Sequence, residues 1–134
     1  MTNDRQPDLD STFVRLRSDG GTEALPVDES FWQRLASGEF GTFRGEHLVS
    51  CYTFDADWTS WEMHPKGDEI VCLLSGSVTF VLEELQGRRE MRLDRAHAFA
   101  IVPRGTWHTA RVHEPSSMLF ITPGEDTRHR GIEA

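Results

Sequence analysis

The chain has 134 residues, the length of one ordinary domain, and its 37% apolar and 27% charged residues give a globular rather than a disordered composition. Its formal charge is −8, from 22 acidic against 14 basic residues, and no basic stripe offsets it. That field excludes nucleic acid and anionic membrane surfaces as expected partners. No apolar run approaches the roughly 18–20 residues of a membrane helix, and the N-terminus, MTNDRQPDLD, reads as neither a secretory signal nor a transit peptide, so a cytoplasmic location is expected.

In chain order, residues 1–12 are polar and are expected to be mobile. A single domain is expected over 13–124. Residues 13–27 alternate weakly around the turn pair Gly20-Gly21. The stretch ESFWQRLASGEF predicts one short helix near 29–37. Asp28 or Ser30 would cap it, Phe31, Leu35 and Trp32 would form its apolar stripe, and Gly38 would end it. From His47 onward the pattern changes to short strand-like runs broken by turn residues. They fall near 47–54, 58–64, 69–75, 77–84, 89–93, 98–102, 106–113 and 117–122, which implies an all-β sandwich or barrel with its core at 47–122. Cys51 and Cys72 lie inside apolar runs and read as structural thiols rather than as a disulfide. Residues 125–134 are expected to be a loosely held polar tail.

The stretch that carries chemistry is Trp61-Glu62-Met63-His64-Pro65-Lys66-Gly67-Asp68-Glu69. On a strand, Glu62 and His64 share a face, because side chains alternate. A turn at Pro65-Lys66-Gly67 then returns the chain along a strand that starts at Glu69. A second turn, Pro103-Arg104-Gly105, delivers His108 at the start of a later strand. Two carboxylates and two imidazoles aimed into one barrel suit one divalent metal ion of the Zn, Fe, Mn, Ni or Co type. Asp68 reads as a turn residue or a supporting partner. His47, His97, His113 and His129 fit no ligand spacing, and Trp58, Trp61 and Trp107 read as barrel packing before substrate platform.

These residues resemble the two motifs of the cupin superfamily. Glu62-x-His64-x4-Glu69-x6-Gly76 is similar to the first motif in spacing, with Glu62 where the first His normally stands. Pro103-x-Gly105-x2-His108 is similar to the core of the second. Three further positions depart: Ala56 and His97 stand at the opening glycines, and Val112 at the closing asparagine. The resemblance spans roughly residues 47–122. It implies a small single-domain jelly-roll β-barrel, often a homodimer, with a ligand cavity beside a metal held by Glu62, His64, Glu69 and His108. The run Ile70-Val71-Cys72-Leu73-Leu74 is apolar on both faces, which also points to a homodimer.

Two functional readings stand open at this level, since one fold hosts many activities. In the first, the chain is a metal-dependent enzyme on a small organic molecule, such as a dioxygenase, decarboxylase or sugar-type isomerase. In the second, it is a non-catalytic module that binds or senses a small ligand, with a structural metal. A divalent ion held by two carboxylates carries no net charge and is a weaker Lewis acid than in a three-His, one-Glu site. The residues announce no acid–base group beyond the ligand set, and the catalytic residues stay unassigned.

Overall fold

The computed structural model describes residues 5–132; the ends of the expected mobile segments, 1–4 and 133–134, lie outside the described residues. The elements run β1 (Thr12–Leu16), β2 (Thr22–Pro26), α1 (Phe31–Ala36), β3 (His47–Phe54), β4 (Ser60–Met63), β5 (Glu69–Glu84), β6 (Gly87–Leu93), β7 (Phe99–Val102), β8 (His108–Pro123) and β9 (Arg128–Gly131). Every pairing is antiparallel. No helix among the described residues is long and apolar enough to cross a membrane.

The weakly alternating segment 13–27 is a hairpin, β1–β2, whose β1 continues the sheet along β3. Upstream of it, the Asp8 carboxylate accepts hydrogen bonds from Asp10 N, Ser11 N and Ser11 Oγ, so the chain entering β1 is held in a turn. Helix α1 is shorter than expected. Asp28 Oδ1 accepts from both the Ser30 amide at 2.9 Å and the Ser30 hydroxyl at 2.7 Å, which sets the entry turn. The helix stops at Gly38, whose φ of +83° a glycine adopts without strain. Phe31 is fully buried against Phe13, whereas Trp32 is about half exposed and faces the barrel mouth.

Two breaks expected in the sequence are absent. Residues 69–75 and 77–84 form one 16-residue strand, β5, and residues 106–113 and 117–122 join in one 16-residue strand, β8. The two pair along their length, with register shifts between Leu73 and Val78. Gly76 takes φ +98° at this bend, opposite Pro115, which has no N–H to donate to a ladder. The buried Ser116 hydroxyl accepts from Ser77 N at 2.9 Å and so replaces a lost ladder bond. Both strands therefore cross from one half of the barrel to the other without interruption.

The core fills the barrel with the inward residues of β5 to β8, among them Val71, Leu73, Phe80, Leu82, Met118 and Phe120. Each fully buried side chain of this size stabilises the fold by roughly 1.5–3 kcal/mol. A smaller cluster of Phe13, Leu25, Phe31, Phe43 and Leu48 fastens the hairpin and α1 to β3.

The tail is not loosely held: Arg128–Gly131 is strand β9, paired with β4 from Ser60↔Gly131 to Met63↔Arg128. Its side chains are all exposed, so no apolar period marked it. Backbone pairing holds it, helped by the Arg130 guanidinium, which stacks on Trp61 and Trp107 and donates to Glu83 Oε2 at 2.7 Å. Cys51 and Cys72 are free and half-buried. Both flank Leu119 of β8 in register, on the outer face rather than in the core.

Candidate metal centre

Glu62, His64, Glu69 and His108 come from three parts of the chain, and local structure explains how each is aimed. Glu62 sits on β4 opposite His108 of β8. The turn after β4 is tied down twice: Gly105 N donates to His64 O at 2.9 Å, and Arg104 N donates to Asp68 Oδ1 at 2.9 Å. Asp68 thus joins the two motif turns to each other. Gly105, at φ +76°, meets the left-handed requirement of its turn. His97, where the motif of the resemblance has a glycine, takes a left-handed φ of +74°.

The four side chains converge. His64 Nε2 lies 3.4 Å from Glu69 Oε2 and 3.9 Å from Glu62 Oε2, and His108 Nε2 lies 3.1 Å from Glu69 Oε1. Donor atoms of Glu62, His64 and His108 all lie within 4.8 Å of one another. Atoms bound to one ion at about 2.0–2.3 Å are at most about 4–4.6 Å apart, so Glu62, His64 and His108 are close to closure around a metal, while Glu69 does not belong to that closely spaced trio. Glu69 stands between the two imidazoles, one oxygen toward each.

Hydrogen bonds on the far sides of these groups orient them. His108 Nδ1 is 3.1 Å from Thr106 O. A carbonyl only accepts, so Nδ1 carries the proton and neutral His108 presents a bare Nε2. The Thr127 hydroxyl is within reach of Pro123 O at 3.4 Å as a donor and of His64 Nδ1 at 2.9 Å as an acceptor, which leaves the His64 Nε2 lone pair inward in the same way. Thr122 donates to Glu69 Oε2 at 2.6 Å. The inner atoms His64 Nε2, His108 Nε2 and Glu69 Oε1 are buried and lack a hydrogen-bond partner, the 3.1 Å contact lying outside hydrogen-bond geometry. Leaving such a group unsatisfied costs about 1–3 kcal/mol. Bare imidazole nitrogens and a carboxylate oxygen, inward and unpartnered, fit a divalent cation.

Without an ion the charges settle on each other. Burial opposes ionisation of Glu69, but the His108 and His64 imidazoles outweigh it and lower its pKa to about 2. Burial likewise opposes protonation of His108, and the Glu69 carboxylate outweighs it and raises the pKa above the usual imidazole value.

The site lies at the inner end of a cavity of about 1080 Å³ whose wall includes Glu62, His64 and Glu69. A row of aromatic rings, Trp32, Tyr52, Phe54 and Trp58, steps at 5.6–5.9 Å between centroids from α1 toward His108, which is 6.2 Å from Trp58. Of the three tryptophans near the motifs, Trp58 lines this cavity, while Trp61 and Trp107 serve to anchor β9. His113 bonds Thr79 Oγ1 at 2.8 Å, a structural role. The sequence reading missed His129 and Thr127. His129, paired with Glu62 in the β4–β9 register, has its Nε2 3.5 Å from Glu62 Oε1. Only the pairing of β9 on β4 reveals it, since no spacing links residue 129 to residue 62.

No protein-family model matches the chain, and no curated protein matches it. Solved structures do. The chain is similar to Bacillus subtilis oxalate decarboxylase, a protein with Mn(II) centres, at 16% identity and TM-score 0.52, over 64% of this chain and 24% of that one. It is similar to hydroquinone 1,2-dioxygenase from Sphingomonas sp. TTNP3, solved with 4-hydroxybenzoate bound, at 18% identity and TM-score 0.50, over 64% and 60% of the two chains. A cupin-2 domain containing protein from Shewanella frigidimarina NCIMB 400 matches at 17% identity and TM-score 0.49, over 57% and 70%. At these identities the likeness speaks to the fold alone. The chain is an all-β protein with the cupin fold.

Proposed function

We propose that this barrel holds one divalent ion of the Zn, Fe, Mn, Ni or Co type through Glu62, His64, Glu69 and His108, and acts as an enzyme on a small organic molecule in the adjoining cavity. The observation that carries the reading is the trio of buried, unpartnered donor atoms, His64 Nε2, His108 Nε2 and Glu69 Oε1, converging at the cavity's inner end. A bound ion supplies Lewis-acid chemistry at that point. The protein's own contribution is positional. Thr106, Thr127 and Thr122 hold the two imidazoles and Glu69 in their metal-ready orientations. The aromatic row excludes water from one side of the site. His129, outside the ligand set, stands at the wall 3.5 Å from Glu62 and is the group placed to accept or return a proton from a molecule in the cavity. Dioxygenase and decarboxylase chemistry are the reaction classes that the similar folds support as candidates, with a sugar-type isomerase as a third.

The test is metal analysis. The parent protein is expected to take up one equivalent of divalent metal, and His64→Ala and His108→Ala to take up none while keeping a β-rich circular dichroism spectrum. A parent protein that holds no stoichiometric metal after incubation with each of the five ions would end the proposal.

A further inference from the structure

The charge around the cavity narrows what it can hold. Its wall carries five carboxylates, Asp55, Asp57, Glu62, Glu69 and Asp126, and among the described residues no Arg or Lys lines it. A divalent ion held by Glu62 and Glu69 cancels only those two, which leaves Asp55, Asp57 and Asp126 as net negative charge toward the mouth. The Arg15 guanidinium stands behind one lining residue, Phe43, at 4.3 Å from its ring, but it already faces Glu23 at 3.2 Å and Glu46 at 3.6 Å. His64 belongs to the proposed ligand set, and His129 sits against Glu62. The rest of the wall is the aromatic row, whose ring faces attract cations.

Resting on the reading above only in taking this cavity as the ligand site, we infer that its occupant is a small organic cation, an amine or quaternary ammonium on an aromatic or apolar body, and that the cavity discriminates against carboxylates and phosphates. An anion there meets the carboxylates of Asp55 and Asp126, and that of Asp57, whose Oδ1 accepts from Val112 N at 2.7 Å, with no guanidinium or ammonium in the cavity wall. A cation meets those carboxylates at the mouth and ring faces further in. The apolar body accounts for the row of rings, which bury it without demanding hydrogen bonds. The 4-hydroxybenzoate named with the Sphingomonas dioxygenase is an anion, so the occupant inferred here is of a different class.

A matched probe set tests this on full-length, zinc-loaded protein: benzylamine, benzyltrimethylammonium, benzyl alcohol and benzoate, with affinities from titration calorimetry at low salt. Benzyltrimethylammonium has no lone pair for the metal, so its binding reports charge and rings alone. Both cations are expected to bind at least about tenfold tighter than benzoate, a preference that shrinks with added salt. Asp55→Asn with Asp126→Asn should narrow the cation-to-anion ratio about threefold or more. Asparagine tolerates the left-handed φ of +59° at residue 126, so this variant keeps its backbone. Benzoate binding as tightly as the cations, or a ratio unmoved by the double variant, overturns the inference. So does the absence of any binding by the two cations. Zinc stoichiometry, measured on the same samples, separates the two ideas. One equivalent of zinc with a preference for benzoate sinks the cation inference alone, and a cation preference in protein that takes up none of the five ions sinks the metal reading alone.

Discussion

Glu69 and His108 are shifted in opposite directions by one shared contact, and this gives the metal-free protein a distinctive pH profile. The raised pKa of His108 contributes stability that is fully present below the unfolded value near 6.5 and is lost as pH climbs through the higher folded value. The lowered pKa of Glu69 contributes stability that is present above the unfolded 4.5 and is lost as pH falls toward about 2. The two windows overlap between about pH 4.5 and 6.5, where the metal-free barrel should melt at its highest temperature. With metal bound the trend should reverse as pH rises through that window, because His108 must give up its proton to bind. Melting curves of chelator-treated and metal-loaded protein from pH 4 to 8 check both, and parallel curves would refute the shared-contact account. Thr127→Val deletes the hydroxyl beside His64 Nδ1 at nearly constant volume. It should weaken metal binding roughly 10- to 100-fold with little change in fold, read by competition with a chromophoric chelator. Unchanged affinity would mean that Thr127 does not orient His64.

At the scale of elements, the long β5 and β8 make the barrel one piece, and their shared bend depends on Gly76. A Cβ placed there would stand 2.2 Å from Ser116 Oγ and 2.7 Å from Pro115 O, on a backbone already at φ +98°. Gly76→Ala should cost about 3 kcal/mol in urea unfolding, from steric clash and the left-handed conformation together. Adding Ser116→Ala should recover little, because the Pro115 carbonyl remains in the way. A loss of less than about 1 kcal/mol would show that the bend relaxes freely. The same two strands explain the breaks that the sequence suggested. Ser75-Gly76 and Glu114-Pro115 are turn-formers in isolation, but face to face they build one bulge rather than two loops.

On the scale of the whole molecule, the outer face of β5, β7 and β8 is apolar. Ile70, Leu74, Phe99 and Ile101 are 38%, 38%, 63% and 48% exposed, with Ile70 paired to Ile101 on one side and Ile121 on the other. A contiguous patch of this kind on a sheet face favours burial against a second copy, and we expect a homodimer through it. Sedimentation velocity at tens of micromolar should give the dimer mass. Phe99→Glu with Ile101→Lys should give a monomer that still takes up one equivalent of metal. A monomeric parent protein would remove the patch from consideration as a self-association surface.

The barrel, its leading helix and the shared face of Glu62 and His64 were legible in the chain by itself, while His108 comes beside Glu62 through the pairing of β4 with β8. Each legible feature depends on local rules: the two-residue period of a strand put Glu62 and His64 on one face, and short turns at Pro65–Gly67 and Pro103–Gly105 set the return distances. The tertiary structure alone decided the rest. The register of β9 on β4 set Thr127 and His129 beside the site, and the outward parity of Cys51 and Cys72 took both thiols out of the core. The carboxylates gathered at the cavity mouth come from loops 50 or more residues apart in sequence. Side-chain periodicity reports which face is buried. It does not report which distant backbone will satisfy the open edge of a strand such as β4, because that partner is chosen by hydrogen-bonding groups that every residue of β9 carries alike.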